Sequence, residues 1–288
     1  MEISDSKIKL IFQTSLHEEV INISDASKGL DQIVKIVETA SGKKYVFKSP
    51  KNPKEKELIY REVFACEKLK GKAPVPEIFF KSDDYIIKSF LEGEDLCDVV
   101  LSEEQAKDVY CEVGRCLKKI HQIKTQGFGS IGLDGVGEFK TLRPSVTRGL
   151  NKKLFYLWSR RLLMVSEIIK LKKYLKVNGA YFDSGENVML HFDYEDYHIK
   201  LKNGKVCGIF DFGDLSAGPR ALDLARQFIS HFNDGHFQYI LDGYGGGIDL
   251  KEVEFHAVLT LIWMAKYHHD KNNNKYRRDL EVIREILK

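Results

Sequence analysis

From Glu19 to Lys48 short β-branched runs alternate with turn residues: Val20-Ile21-Asn22-Ile23, Ser27-Lys28-Gly29, Ile33 to Val37, Ser41-Gly42-Lys43-Lys44 and Tyr45 to Lys48. Strand-length runs broken by turn formers predict an antiparallel meander of three strands. Between Pro53 and Lys70 the period lengthens, with Leu58, Phe64 or Ala65, and Leu69 at helical spacing, an opening proline and Gly71 at the end. A helix is therefore expected after the third strand. Pro74-Val75-Pro76 keeps the chain extended. Beyond it, Ile78-Phe79-Phe80 and Tyr85-Ile86-Ile87 flank Ser82-Asp83-Asp84 and predict two further strands.

After Gly93 the pattern turns helical, with Ser102 as N-cap, Glu104-Gln105 behind it and a run on to His121. Residues 140–177 are helix-prone, Leu190 to Phe212 returns to short strand and loop text, and from Ala221 onward the chain reads helical apart from Gly243 to Gly247. The shift near residues 90–95 predicts an α+β protein of two lobes. Residues 1–91 would form an antiparallel sheet lobe with one helix, and residues 92–288 a mainly helical lobe. A chain of 288 residues is long enough for both.

Composition narrows the function classes. Apolar residues at 43% and charged residues at 30% suit a soluble enzyme, and a net charge of +3 without a basic stripe argues against a nucleic-acid partner. The five cysteines are odd in number and lack CxxC pairs, so buried, reduced thiols are expected. Met1 to Phe12 mixes acidic and basic residues early, unlike a signal peptide, and Ala257 to Ala265 is too short to span a bilayer. A cytoplasmic protein with no membrane partner is the consistent expectation.

Candidate chemistry concentrates in Leu190-His191-Phe192-Asp193-Tyr194-Glu195-Asp196-Tyr197-His198 and the following Ile209-Phe210-Asp211-Phe212-Gly213-Asp214. Phosphoryl transfer needs one carboxylate to hold the acceptor hydroxyl and steer its proton, and another to hold the magnesium that neutralises a triphosphate. Asp193 fits the first role and Asp211 the second. His191 suits packing within the loop, and His198 stands where a second metal ligand or a phosphate contact would come from. A hairpin at Lys202-Asn203-Gly204 would turn the chain back between the two carboxylates.

These residues resemble the aminoglycoside phosphotransferase family of small-molecule kinases, whose signature is HxDxxxxN followed by a strand and IDxxD. The resemblance implies a bilobal, protein-kinase-like fold, ATP or GTP as co-substrate, Mg2+, and a hydroxyl of an aminoglycoside-like antibiotic as acceptor. Lys48, ending Val46-Phe47-Lys48, matches the lysine that contacts the phosphates, and Glu62 the glutamate that pairs with it. Ser24 to Gly29 resembles the nucleotide-positioning loop, with Ser27 and Gly29 as contacts. Lys88 to Gly93 resembles the hinge that holds the base, with Lys88 and Phe90 as contacts. Val113 to His121 resembles the family helix ending in Leu-His, and Asp223 the residue that braces the catalytic loop. Two positions depart from the pattern: His198 replaces the usual Asn, as in the 2''-phosphotransferase and macrolide kinase branches, and Gly218 replaces an Asp. Ile209 to Asp214 is most similar to the 2'' branch.

The charge pattern complicates the acceptor. Polycationic aminoglycosides call for an acidic pocket, yet Leu133 to Lys176 carries eleven basic residues, Lys140 to Lys176, against Asp134, Glu138 and Glu167. A solvated outer helix face accounts for them, and an anionic acceptor is the sharper alternative. Glu195, Asp196, Asp234, Asp242, Asp249, Glu252 and Glu254 are the acidic candidates. Gly243 to Gly247 lacks a following Lys-Ser or Lys-Thr and reads as a flexible helix connection. His268-His269-Asp270 reads as a surface cluster. Kinases of other hydroxylated metabolites or antibiotics, and a catalytically silent nucleotide-binding relative, are the competing expectations.

Overall fold

The computed structural model describes residues 3–26, 32–52 and 55–288; Ser27 and Gly29 lie outside them. The chain divides into two compact units. The first runs to Ser102 and takes in Gly132–Gly135 and Asp196–Leu215; the second holds Glu103–Ile131, Val136–Glu195 and Ser216–Lys288.

The first unit opens with α1 (Asp5–Leu16), a helix additional to the one expected. The Ser4 hydroxyl caps it by accepting the Lys7 N–H at 3.4 Å, and His17 ends it in the left-handed region at φ 55°. Asp5, Lys7 and Lys9 dilute its apolar stripe, but Ile8, Ile11 and Phe12 fall on one face and are buried. Then come β1 (Val20–Asp25), β2 (Gln32–Thr39), β3 (Lys44–Pro50), α2 (Lys56–Leu69), β4 (Ile78–Lys81) and β5 (Ile86–Ser89). The five strands pair antiparallel in the order β1-β2-β3-β5-β4. Phe12, Val37, Tyr45, Phe47 and Ile87 form the core on one face of this sheet. Ile59 and Val63 of α2 pack on Ile86 of the other. A small sheet joins β6 (Glu94–Asp95), β10 (Ile199–Lys202) and β11 (Lys205–Ile209). Its hairpin turns at Asn203 and Gly204, both at positive φ, the geometry a two-residue hairpin favours.

The second unit contains α3 (Glu103–His121), β7 (Phe128–Ile131), β8 (Gly137–Phe139), α4 (Leu142–Thr147), α5 (Leu150–Ser159), α6 (Val165–Val177), β9 (Val188–Leu190), β12 (Ser216–Gly218), α7 (Ala221–Ser230), α8 (His236–Tyr244), α9 (Leu250–Asp270) and α10 (Lys275–Ile286). Its four strands are ordered β8-β7-β12-β9. The helix-prone 140–177 stretch is broken into three helices, with Gly149 and Arg161 at positive φ between them.

Gly243 corrects the flexible-connection reading. It lies inside α8, where a Cβ would sit 1.9 Å from the Cys111 carbonyl oxygen of α3; a Cβ at Gly114 would sit 2.0 Å from the Ile240 carbonyl. Both glycines let two backbones approach more closely than any side chain permits. The helix stops at Gly245, left-handed at φ 82°. Gly218 has a comparable reason: a side chain there would meet Leu222 and Leu190, two members of an apolar cluster, at 3.1 and 3.2 Å. An aspartate would bring its carboxylate against that cluster.

The cysteines also need correction. Cys66 and Cys116 are buried, and burial pushes their thiols up to about 12 and about 11. Cys97, however, is exposed in the short turn after β6, and Cys111 and Cys207 are half-buried. No described helix is long and apolar enough to cross a membrane.

His256 lies wholly buried in α9, and neither ring nitrogen meets a hydrogen-bond partner among the described residues. Burial lowers its pKa from 6.5 to about 4. The unfolded chain therefore binds a proton that the folded chain refuses between these values. Stability is full above about pH 6.5 and falls as pH drops toward 4, by roughly 3 kcal/mol over the window. Replacing His256 with Leu should flatten this slope, read as urea midpoints at pH 7 and pH 5; equal pH losses in both proteins would refute it.

Candidate functional site

Strand alternation fixes the first half of the site. In β3, Tyr45 and Phe47 enter the α1-side core, so Val46 and Lys48 face the other way; β5 aligns Lys88 opposite Val46. The helix α2 brings Glu62 to the same place, fully buried between Ile59 and Cys66. Glu62 Oε2 accepts from Lys48 Nζ at 2.6 Å, and Oε1 accepts from Lys88 Nζ. Lys48 Nζ also donates to Asp211 Oδ1 at 2.9 Å. Burial alone would lower the Lys48 pKa, but Glu62 and Asp211 outweigh it and hold the ammonium protonated well above its usual range.

Asp211 follows β11 and is itself left-handed, φ 64° and ψ 62°. Burial opposes its ionisation, but Lys48 and then His198 keep the carboxyl well below the ordinary range. The side chain is nonetheless 44% exposed, so one carboxylate is both anchored and open to a ligand. His198 Nε2 stands 3.5 Å from Asp211 Oδ2, and its carbonyl accepts the Phe210 N–H at 3.1 Å. A cavity of about 220 Å³ opens onto these groups, lined by Val34, Val46, Lys48, Phe90, Phe210 and Asp211 among others. Its apolar walls and charged end match what a planar base with a polyphosphate tail requires. A hollow of about 580 Å³ beside Ile3, Asp25 and Lys51 shares Val34 with this cavity but is not lined by Lys48, His198 or Asp211.

Six of the sequence candidates thus gather in the first unit: Lys48, Glu62, Lys88, Phe90, His198 and Asp211. Lys88 lines the cavity of about 220 Å³, and its side chain is buried against Glu62 within β5. The Asp211 carboxylate suits Mg2+, a hard cation that takes one or two protein carboxylates beside phosphate oxygens; the His198 nitrogen is a poorer match.

In the second unit, β9 leads into the loop carrying Asp193. Phe192 adopts φ 67°, a costly conformation for an aromatic residue that persists where surroundings enforce it. Asp223, fully buried at the start of α7, supplies the enforcement: its Oδ2 accepts the His191 N–H and its Oδ1 the Phe192 N–H, both at 2.8 Å. This is the bracing expected of Asp223. His191 is buried edge-on to Tyr194. His121, at the end of α3, places Nε2 3.1 Å from Asp223 Oδ2 and Nδ1 2.8 Å from the Tyr244 hydroxyl.

Asp193 has a partner that the sequence did not announce. Arg226 donates from Nη2 to Asp193 Oδ1 at 2.6 Å and lies 3.2 Å from Glu195 Oε1. Its position one turn beyond Asp223 in α7 was the available signal. Other acidic candidates serve local structure: Asp249 accepts from the Tyr181 hydroxyl, Glu252 from Ser184 and Asp242 from Gln238. His268 bonds Asp279, and His269 bonds the Tyr156 hydroxyl, so this pair braces helices.

A carboxylate poised on an ordered loop and an ammonium–carboxylate pair facing a cavity are the parts phosphoryl transfer calls for. Comparison with known proteins agrees. The structure of aminoglycoside phosphotransferase APH(4)-Ia is similar over 98% of this chain and 97% of its own, at 17% identity and a TM-score of 0.73. The gentamicin complex of APH(2'')-IIa is similar over 100% and 97%, at 18% identity and 0.69. The macrolide 2'-phosphotransferase MphH from Brachybacterium faecium is similar over 97% and 98%, at 16% identity and 0.67. At such identities the likeness establishes the kinase-like fold. No curated protein matches the sequence. The phosphotransferase enzyme family, however, matches residues 22–255, most of the chain. The chain therefore belongs to the phosphotransferase enzyme family.

Proposed function

We propose that this enzyme transfers the γ-phosphoryl group of ATP or GTP to a hydroxyl of an aminoglycoside-like antibiotic. The observation that carries the reading is the Asp211 carboxylate, bonded to the buried Lys48–Glu62 pair yet open to the cavity. Lys48 would meet the α- and β-phosphate oxygens, held in place by Glu62, while the cavity walls around Phe90 take the base. Asp211 would hold Mg2+, which when bound neutralises triphosphate charge. Asp193 would orient the acceptor hydroxyl and accept its proton, with Arg226 fixing the carboxylate. Catalysis would then rest on positioning and charge neutralisation. The acceptor is supported by the hygromycin B and gentamicin bound in two similar structures.

A second reading keeps the chemistry and changes the acceptor to another hydroxylated compound, including an anionic one. Arg226 beside Asp193 and Glu195 favours it, because it offsets the negative charge a polycation would seek. Nucleotide consumption against a panel of aminoglycosides, macrolides, sugars, amino alcohols and phosphorylated acceptors separates the two. Stimulation by an aminoglycoside, with resistance conferred on a sensitive host, is expected. Failure of both, with stimulation elsewhere in the panel, would replace the antibiotic reading with the second.

A further inference from the structure

The connection between α7 and α8 carries a cluster that phosphoryl transfer does not use. His231 follows the last residue of α7, His236 begins α8, and Asp234 lies between them in the spacing H-x2-D-x-H. One ligand atom from each of the three lies within 4.8 Å of the others. His231 Nδ1 is 3.0 Å and His236 Nδ1 3.6 Å from the same oxygen, Asp234 Oδ2. Ligands on a tetrahedral zinc at its usual bond lengths stand about 3.3 Å apart, which these two distances bracket.

The surroundings hold the donors in place. The other carboxylate oxygen of Asp234 accepts the His236 N–H at 3.0 Å, which fixes the orientation of Oδ2. Tyr110 of α3 stacks on the His236 ring at 4.4 Å and meets the His231 ring edge-on at 4.7 Å. His236 Nδ1 makes no hydrogen bond, and no lysine or arginine pairs with Asp234 among the described residues. His231 is buried, while Asp234 remains about 43% exposed, so a cation has a way in. Two imidazoles and one carboxylate are a donor set for a borderline-soft dication and a poor one for Mg2+.

We propose that His231, Asp234 and His236 bind Zn2+ with three protein ligands, leaving a fourth position to water. The site would pin the α7–α8 connection and stands independently of the catalytic reading. The test is calorimetric titration of untagged, nucleotide-free protein with Zn2+, alongside Asp234→Asn and His236→Ala. Asparagine can still accept the His236 N–H, so loss of the cap and loss of the ligand are separated. Both variants involve partly exposed side chains, and thermal unfolding without metal verifies their folding. Wild-type protein should bind one equivalent, with each variant at least about tenfold weaker, and zinc should raise the melting temperature of wild type alone. Absence of binding by wild type, or equal binding by all three proteins, would overturn the proposal.

Discussion

Asp193→Asn should lower kcat by roughly two to four orders of magnitude, the usual yield of a positioned general base, while nucleotide binding stays close to wild type. The expected contrast follows from how the loop is held. Its backbone is anchored by Asp223, which takes the His191 and Phe192 N–H groups, so the loop does not depend on the Asp193 side chain for its shape. Asparagine preserves volume and can still accept from Arg226, which bonds Oδ1 at 2.6 Å. What it loses is the capacity to take a proton from an acceptor hydroxyl. Acceptor-stimulated nucleotide consumption and separate nucleotide titration report the two effects. Unchanged acceptor-stimulated turnover in the variant would remove Asp193 from the catalytic role, and absence of acceptor-stimulated turnover in the wild type as well would favour a relative that binds nucleotide without transferring it.

Glu62→Ala should cost about 3–5 kcal/mol of stability, the penalty for stripping the partner from a buried charge. Glu62 is the carboxylate that bonds both Lys48 and Lys88, whose side chains are 5% and 6% exposed. Lys48 retains Asp211 after the change, but Lys88 keeps no bonded carboxylate among the described residues. Lys48→Met is the informative comparison. It leaves Glu62 bonded to Lys88, so it should melt well above Glu62→Ala while still losing phosphate contacts and activity. At about 2–4 °C per kcal/mol for proteins of this size, scanning calorimetry should place Glu62→Ala roughly 10 °C below wild type. A shift no larger than that of Lys48→Met would contradict the shared-carboxylate account.

Much of this was legible because the relevant physics is local. Alternating β-branched runs announced the five strands, Asn203-Gly204 the hairpin, and the paired motifs around Asp193 and Asp211 the chemistry. What escaped notice depends on contacts between distant segments. Arg226 and His121 take their roles only once α7 and α3 meet the Asp193 loop and Asp223. Gly243 looks like part of a loop until α3 lies against it. Helix α1 was hidden by charged residues that share its surface with three buried ones. The left-handed backbone at Phe192 and Asp211 has no sequence signature, since neither residue is glycine. Both strained positions adjoin or coincide with a proposed functional aspartate, where such strain concentrates.

The central claim is transfer of a γ-phosphoryl group to a hydroxyl through the Lys48–Asp211 site, and label transfer tests it most directly. With γ-phosphate-labelled ATP or GTP, Mg2+ and the most stimulatory acceptor of the panel, wild-type protein should move label onto the acceptor. Asp211→Asn, in which Lys48 keeps Glu62, should fold and move almost none. Label released solely as inorganic phosphate, or transferred equally by both proteins, would contradict the account.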